Sequence, residues 1–253
     1  MIKTVFASSV GRVRPTNQDQ VNVFENKAGI KMAIVCDGMG GHRGGDVASA
    51  MAVSNLGHAF CLSDFKTVKK AKSWLDVQLK VENDKILAAG DRFADLRGMG
   101  TTVVLLLAFP DQVLVAHLGD SRAYSYIGTD FKQITEDQSL VNELVKMGQI
   151  TSEQAKNHPQ KNIITQTLGV SSTISPEYDE LEAPDGALFL LCTDGLTNSL
   201  TDPQIQQILA TKTLSLKQRC NKLISEANRY GGGDNITVCL LAYLAKDVKT
   251  SDQ

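Results

Sequence analysis

Seven short apolar runs, each about the length of a β-strand, do most to limit the fold of this chain. Most of them are apolar at every position rather than at alternate positions, which predicts strands covered on both faces. Pro110 and Asp111 predict a hairpin turn between the third and fourth runs. The sequence therefore predicts buried sheets. The runs are Val21–Phe24, Met32–Cys36, Thr101–Ala108, Val113–Leu118, Ala123–Ile127, Ala187–Cys192 and Ile236–Tyr243.

In other segments the apolar residues have helical spacing, which predicts α-helices. The first predicted helix spans Asp46–Phe60, with Asp46 as its N-cap, and the second spans Thr67–Leu87. A third helix is predicted after Asp202-Pro203, and a fourth covers Thr213–Arg229. This order of strands, a helix pair, strands, helices and a final strand is typical of an α+β fold with consecutive antiparallel strands.

The composition changes between Glu136 and Gly169. A short helix that ends at Gly148 is predicted there, and the polar stretch Thr151–Gln160 follows it. We interpret this part of the chain as a surface insertion on the sheet scaffold. No linker rich in Pro, Gly or Ser and no internal repeat divides the 253 residues, so we expect one domain.

Charge and hydropathy exclude several classes of protein. Lys and Arg number 26 against 28 Asp and Glu, and a net charge of −2 gives no general attraction to nucleic acid or an anionic membrane. No run approaches the roughly 20 apolar residues of a membrane span, and Met1–Val10 lacks the central apolar region of a signal peptide. The five cysteines are widely spaced without a CxxC pair, as expected of reduced, buried thiols. We therefore expect a cytoplasmic protein with no nucleic-acid partner and no membrane insertion.

Four aspartates stand beside glycine where an apolar run begins or ends. Asp37, Asp120 and Asp194 follow runs, and Asp234 precedes the last run. Burial of an unpaired carboxylate costs on the order of several kcal/mol, so acids at the edges of core strands need partners. Isolated Asp-Gly turns are one explanation. The other, which four such sites together favour, is a shared acidic cluster bridged by Mg²⁺ or Mn²⁺, cations that prefer carboxylate oxygens as ligands.

Arg14 and Asp19 lie just before the first run. An arginine beside a metal pair suits a phosphate, because its planar guanidinium binds two oxygens at once. A solvated surface arginine is the alternative for Arg14 taken alone. The glycine-rich loop Gly38–Gly45 lacks both a dinucleotide fingerprint and the Gly-Lys-Ser/Thr of a P-loop. We interpret it as a loop that exposes Asp37 and the Gly38 carbonyl to a cation.

Six short motifs occur in order along nearly the whole chain: Gly11-Arg12-Val13-Arg14 through Asn17-Gln18-Asp19, Asp37-Gly38-Met39-Gly40-Gly41-His42, Gly100-Thr101-Thr102, Gly119-Asp120-Ser121-Arg122, Cys192-Thr193-Asp194-Gly195-Leu196 and Gly233-Asp234-Asn235. Together they resemble the metal-dependent Ser/Thr protein phosphatases of the type 2C (PPM) family, in their bacterial form. The resemblance implies an α+β fold of four αββα layers, two antiparallel β-sheets flanked by helices. It also implies a single phosphatase domain over residues 1–245, with a flap subdomain at about 136–165 and a short polar tail at 246–253.

The resemblance assigns metal ligands as well. Asp37, Asp194 and Asp234 would hold one Mn²⁺ or Mg²⁺ ion. Asp37, the Gly38 carbonyl and Asp19 would hold a second ion, partly through water. Two ions per active site are therefore expected.

Five further positions carry expectations from the same resemblance. Asp120 would help to hold a third, weakly bound ion, and Arg14 would bind the substrate phosphate. Many members have Glu where Gln18 stands, so this chain lacks a carboxylate beside the second ion. Animal members have a histidine, their proposed general acid, at the position of Met39. His42 is the nearest histidine in sequence, and substrate contact, proton donation to the leaving group and loop structure are all open roles for it.

The implied function is hydrolysis of phosphoserine and phosphothreonine in proteins by a metal-activated water. Asp37-Gly38-Met39 lacks the Asp-x-Asp of an aspartyl phosphatase, and no cysteine lies in a basic phosphate-binding loop. A catalytically weak, phosphoprotein-binding regulatory module on the same fold is the alternative, which the retained acids and Arg14 disfavour. The expected partners are phosphorylated proteins and a membrane-anchored Ser/Thr protein kinase that the enzyme opposes. We expect a monomer.

Overall fold

Two antiparallel β-sheets form the centre of the molecule. This computed structural model describes residues 1–244, without the side chains of residues 41–43. The strands are β1 (Ile2–Ser9), β2 (Asp19–Glu25), β3 (Lys31–Met39), β4 (Gly100–Thr101), β5 (Val103–Ala108), β6 (Gln112–Leu118), β7 (Arg122–Ile127), β8 (Asp130–Gln133), β9 (Glu177–Glu182), β10 (Leu188–Cys192) and β11 (Ile236–Tyr243). One sheet has the order β1-β11-β10-β7-β8, and the other has the order β2-β3-β5-β6-β9 with β4 paired to β3.

Helices cover the outer face of each sheet. The helices are α1 (Gly41–Leu62), α2 (Val68–Arg92), α3 (Leu140–Lys146), α4 (Ser152–Lys156), α5 (Asp194–Thr197), α6 (Asp202–Ala210) and α7 (Leu216–Arg229). Apolar residues of α1 and α2 pack on the six-stranded sheet, and those of α6 and α7 pack on the five-stranded sheet. A third apolar cluster lies between the two sheets. The predicted α+β fold with four αββα layers is confirmed.

Strand β3 shows why the runs are apolar at every position. Met32, Ile34 and Cys36 pack towards α1 and α2, whereas Ala33 and Val35 pack against the other sheet. Side chains alternate between the two faces of a strand, and here both faces are covered. Each central strand therefore contributes to two cores at once.

The start of α1 differs from the prediction. Asp46 is not the N-cap, because the helix begins five residues earlier at Gly41, with Gly40 as the N-cap at φ +118°. A Cβ atom on Gly45 would stand 2.6 Å from the carbonyl carbon of Gly38. Glycine is unfavourable inside a helix, but here it allows α1 to approach the end of β3 closely. Packing therefore determines this helix start.

The three strands that the sequence did not predict, β1, β8 and β9, are all edge strands. Each has only one neighbouring strand, and each mixes exposed with partly buried positions. Strand β9 is largely acidic, as is common at sheet edges that must not pair with other chains. Periodicity alone does not reveal such strands.

The predicted insertion contains α3 and α4, between β8 and β9. Helix α3 ends two residues before Gly148, which has φ +70°. The expected tail at residues 246–253 lies outside the described residues. Within residues 1–244, every helix is too short or too polar to cross a lipid bilayer.

We predict that Gly45→Ala destabilises the protein although alanine favours helix. A methyl group at this position meets the backbone of Gly38, and overpacking of this kind costs about 1–3 kcal/mol, more than the roughly 1 kcal/mol gained in helix propensity. Urea denaturation should show a lower free energy of unfolding. Ser54→Ala, at an exposed position of the same helix, is the control and should be neutral or slightly stabilising. A stabilised Gly45→Ala protein would contradict the close approach of α1 to β3.

Candidate active site

Asp19 and Asp37 stand opposite each other on the adjacent strands β2 and β3. The Asp37 N–H donates to Thr102 Oγ1 at 2.9 Å, and the Asp37 carbonyl accepts the Thr102 N–H at 2.9 Å. The Gly38 N–H donates to the Gln18 carbonyl at 3.2 Å. These bonds fix the two predicted acids and the Gly38 peptide at one rim of the six-stranded sheet.

The five-stranded sheet contributes Asp194 and Asp234 beside two of its inner strands. Asp194 is the first residue of α5, shortly after β10, and its Oδ2 accepts a hydrogen bond from Asn198 Nδ2 at 2.9 Å. Asp234 lies two residues before β11. The site is therefore assembled from both sheets.

The Asn235 side chain forms hydrogen bonds to the loop that carries Arg14. The sequence motif alone does not reveal this role. Its Nδ2 donates to the carbonyls of Val10 and Thr16, both at 2.9 Å, and its Oδ1 accepts the Gln18 N–H at 2.8 Å. One buried amide thus fixes both ends of the loop relative to β11.

Asp120 follows a turn that is bonded to the root of the insertion. Gly119, at φ +105°, donates its N–H to Gln138 Oε1 and accepts the Gln138 N–H at its carbonyl, both at 3.0 Å. Two residues after Asp120, Arg122 forms a bidentate ion pair with Asp137 at 2.7 and 2.6 Å. The turn before Asp120 is therefore bonded to the first residues of the insertion, and the two form one unit.

Burial and proximity raise the pKa values of these carboxylates. The pKa of Asp19 is raised to about 7, chiefly by burial and also by Asp194 and Asp234, against the lowering effect of the Thr237 and Thr193 hydroxyls. Burial, followed by Asp19 and Asp194, raises the pKa of Asp37 well above its usual range. Burial and Asp194 raise the pKa of Asp120 to about 7, and burial and Asp234 raise that of Asp194. Like charges crowded together at one protein surface favour protonation or a bound cation.

Three carboxylate oxygens in this cluster fit a cation. Asp19 Oδ1, Asp120 Oδ1 and Asp194 Oδ1 are buried and have no hydrogen-bond partner among the described residues. Such atoms are rare in native structures, and an ion or water usually accounts for them. Among the described residues, no group of three His, Cys, Asp or Glu side chains is arranged tightly enough to enclose a cation by itself. The arrangement fits hard cations such as Mg²⁺, which keep several water ligands.

Arg14 reaches the same cluster. Its guanidinium donates to Asp234 Oδ2 at 2.7 Å, and half of its side chain is exposed. An exposed ion pair of this kind contributes little, about 0–1 kcal/mol, so the guanidinium can turn towards another anion at low cost. The structure thus brings Arg14 together with all five predicted aspartates. The side chain of His42 lies outside the described residues.

A sequence model of the protein phosphatase 2C family matches residues 11–227. The chain belongs to this family. Protein phosphatase PhpP of Streptococcus pneumoniae is 43% identical over 242 residues, 96% of this chain and 98% of that protein. The predicted family and enzyme class, a protein-serine/threonine phosphatase, are confirmed.

Solved structures of protein phosphatase 2C relatives agree. The serine/threonine phosphatase of S. agalactiae is similar with a TM-score of 0.93 and 40% identity, and the alignment covers 97% of this chain and all of that one. The catalytic domain of the serine/threonine protein phosphatase PstP, solved with two manganese ions, has a TM-score of 0.83 and 31% identity over 96% of this chain and 99% of that one. The metal content of PstP agrees with the cation fit of the carboxylate cluster.

We predict that this protein phosphatase 2C chain loses stability as pH rises when divalent cations are removed. The folded-state pKa values of Asp19 and Asp120 are raised from 3.8 to about 7, so the folded protein binds more protons than the unfolded chain between about pH 4 and 7. The free energy of unfolding then falls through this window. In chelator, the Tm should be lower at pH 8 than at pH 5, and Mn²⁺ should restore it at pH 8.

Two variants check this interpretation. Asp120→Asn removes one titrating group and should flatten the pH dependence in chelator. Asp84→Asn, at an exposed helical position outside the cluster, should retain the wild-type slope. A Tm in chelator that does not fall between pH 5 and pH 8 would contradict the crowded carboxylates.

Proposed function

We propose that this enzyme hydrolyses phosphoserine and phosphothreonine in proteins with the help of divalent cations. The observation that carries the proposal is the group of three buried carboxylate oxygens that have no partner among the described residues, in an acidic cluster that Arg14 reaches through Asp234, in a member of the protein phosphatase 2C family. The manganese content of PstP supports Mn²⁺ as one suitable ion. Mg²⁺ has the same preference for oxygen ligands.

We propose the ligand sets that the family resemblance implies, and the placement of the acids agrees with them. Asp37, Asp194 and Asp234 would hold one ion, and Asp37, the Gly38 carbonyl and Asp19 would hold a second, partly through water. When bound, the ions supply a water of lowered pKa and positive charge that stabilises the transferring phosphoryl group. The side chains that hold them bring negative charge from both sheets to one rim.

Asp120 belongs to a third, weaker site in this proposal. Its turn lies beside Arg122 and the insertion, and its Oδ1 has no partner among the described residues. Fewer protein ligands remain for an ion at this position than for the other two. The third ion is therefore expected to exchange readily.

Arg14 binds the phosphate of the substrate. In the structure its guanidinium pairs with Asp234, and an incoming phosphate offers two oxygens in place of one carboxylate oxygen. Because the side chain is half exposed, this change of partner needs no rearrangement of the core. The same movement would free Asp234 Oδ2, an oxygen of a proposed metal ligand.

A large cavity beside the acids suits a protein substrate. It has a volume of about 610 Å³, and Asp120 and Asp194 are part of its lining. The insertion, which we propose acts as a mobile flap, lines one part with residues such as Val141 and Lys161, and α6 lines another part with Pro203. A cavity of this size accommodates residues that flank the phosphorylated side chain.

The proposed cellular role is to oppose a membrane-anchored Ser/Thr protein kinase. All five cysteines are unpaired, as expected of a reducing cytoplasm, and we propose that the enzyme acts there as a monomer in signalling. The family relatives PhpP and the S. agalactiae phosphatase support a bacterial phosphoprotein substrate.

We predict that hydrolysis of p-nitrophenyl phosphate and of a phosphothreonine peptide requires Mn²⁺ or Mg²⁺ and stops in chelator. Asp37→Asn should lower kcat at least about 100-fold and leave the far-UV circular dichroism unchanged, because it removes an anionic ligand proposed to serve both ions. Asp84→Asn is the control and should have wild-type activity. Phosphopeptide binding without turnover in the wild-type protein would favour the alternative of a weak phosphoprotein-binding module.

Arg14→Ala should mainly raise the KM for phosphopeptide. A charge-assisted hydrogen bond contributes about 1.5–3 kcal/mol, so the increase should be about 10-fold or more. The bond exists in the ground state as well as in the transition state, and kcat should change less. Arg12→Ala, an exposed arginine of the same loop, should have no effect on KM. A fall in kcat with unchanged KM would place Arg14 in the transition state alone.

A further inference from the structure

Two buried threonines of the five-stranded sheet direct their hydroxyls at Asp19, which belongs to the other sheet. Thr193 Oγ1 donates to Asp19 Oδ2 at 2.9 Å, and the Thr237 hydroxyl interacts with the same carboxyl. Both threonine residues are completely buried, and Asp19 is 3% exposed.

The backbone fixes the orientation of the Thr193 hydroxyl. Its Oγ1 accepts the Thr237 N–H at 3.0 Å, and the Thr193 N–H donates to the Thr237 carbonyl at 3.1 Å. These bonds extend the β10–β11 pairing by one step beyond Cys192. Thr193 Oγ1 accepts the hydrogen bond from the Thr237 N–H with one lone pair and donates its single proton to Asp19 Oδ2.

A second chain of donors reaches Asp19 through Thr237. Asn17 Nδ2 donates to Ser8 Oγ at 2.8 Å, and Ser8 Oγ lies 2.7 Å from Thr237 Oγ1. An ionised carboxylate only accepts hydrogen bonds, so the Thr237 hydroxyl acts as a donor towards Asp19 and can accept from Ser8. Asn17 Oδ1 in turn accepts the Asp19 N–H at 3.2 Å, so the same asparagine supports both Ser8 and the Asp19 backbone.

These hydrogen bonds make the two oxygens of the Asp19 carboxylate unequal. Asp19 Oδ2 is fixed by its bond to Thr193, whereas Asp19 Oδ1 has no partner among the described residues. Hydrogen bonds behind a metal ligand orient it and increase its affinity for the ion. Without them, both oxygens would be buried without partners, and the side chain could rotate.

We infer that Thr193 and Thr237 are positioning residues that hold Asp19 with Oδ1 directed to the second divalent cation. This inference rests on the proposed metal-dependent function. Loss of either hydroxyl should weaken binding of the second ion. Binding of the first ion should be unchanged, because the threonine hydroxyls are directed at Asp19 and not at the proposed ligands of the first ion, Asp37, Asp194 and Asp234.

The experiment is calorimetric titration of Mn²⁺ into the full chain, with Thr193→Val and Thr237→Val compared to wild type. Valine keeps the shape of threonine and lacks the hydroxyl. We expect two tight ions in the wild type and an affinity at least about 10-fold weaker for the second ion in each variant. Thr193→Ser and Thr237→Ser keep a hydroxyl and should restore the affinity.

Thr135→Val is the matched control. Thr135 is also buried, and its Oγ1 accepts the Ala123 N–H at 3.0 Å away from the acids, so this variant should bind two ions as tightly as the wild type. Equal affinities in the wild type and both valine variants would overturn the inference and leave the proposed function intact. A wild-type protein that binds no Mn²⁺ would overturn both. If Thr193→Val fails to fold, Thr237→Val and the two serine variants decide the result.

Discussion

The carboxylates at the rim shared by the two sheets repel one another, and the other features of the site depend on this repulsion. Asp19 and Asp37 come from one sheet, and Asp194 and Asp234 come from the other. Burial, and after it the charges of neighbouring acids, raises the pKa values of Asp19, Asp37 and Asp194, so bringing the ionised acids together costs free energy. The apolar cluster between the sheets must hold them together against this repulsion. A cation reverses the sign of the interaction, so ligand binding and stability are coupled.

Local hydrogen bonds then decide how each acid is presented. Thr102 holds the Asp37 peptide, Asn235 holds the loop of Arg14, and the turn before Asp120 is bonded to the root of the insertion. Neutral side chains perform these tasks, as acceptors in Thr102 and Gln138 and as a donor in Asn235, so they add no charge to an already acidic rim. The same division between charged ligands and neutral supports is common around protein metal sites.

The central strands and the acids Asp37, Asp120, Asp194 and Asp234 could be predicted from the sequence, because buried runs and neighbouring Asp and Gly residues leave a clear local pattern. The layer order and the place of Asp19 were implied by the family resemblance. The edge strand β1 and the early start of α1 could not be predicted. Both depend on neighbours distant in the chain, such as β11 for β1 and Gly38 for α1. The pairing of Arg14 with Asp234 and the hydroxyls behind Asp19 were also invisible, since they join residues about 170 or more positions apart. Sequence patterns indicate which residues lie on a strand but not which distant side chains those residues contact.

The position of β11 has a consequence for synthesis of the protein. This strand lies between β1 and β10, and Ser8 of β1 meets Thr237 of β11 across 229 positions of the chain. A nascent chain without β11 has an unpaired edge on β1 and another on β10, and such edges promote aggregation. It also lacks Asp234 and the threonine beside Asp19. The acidic rim is therefore complete only after the strand that closes the sheet has emerged from the ribosome.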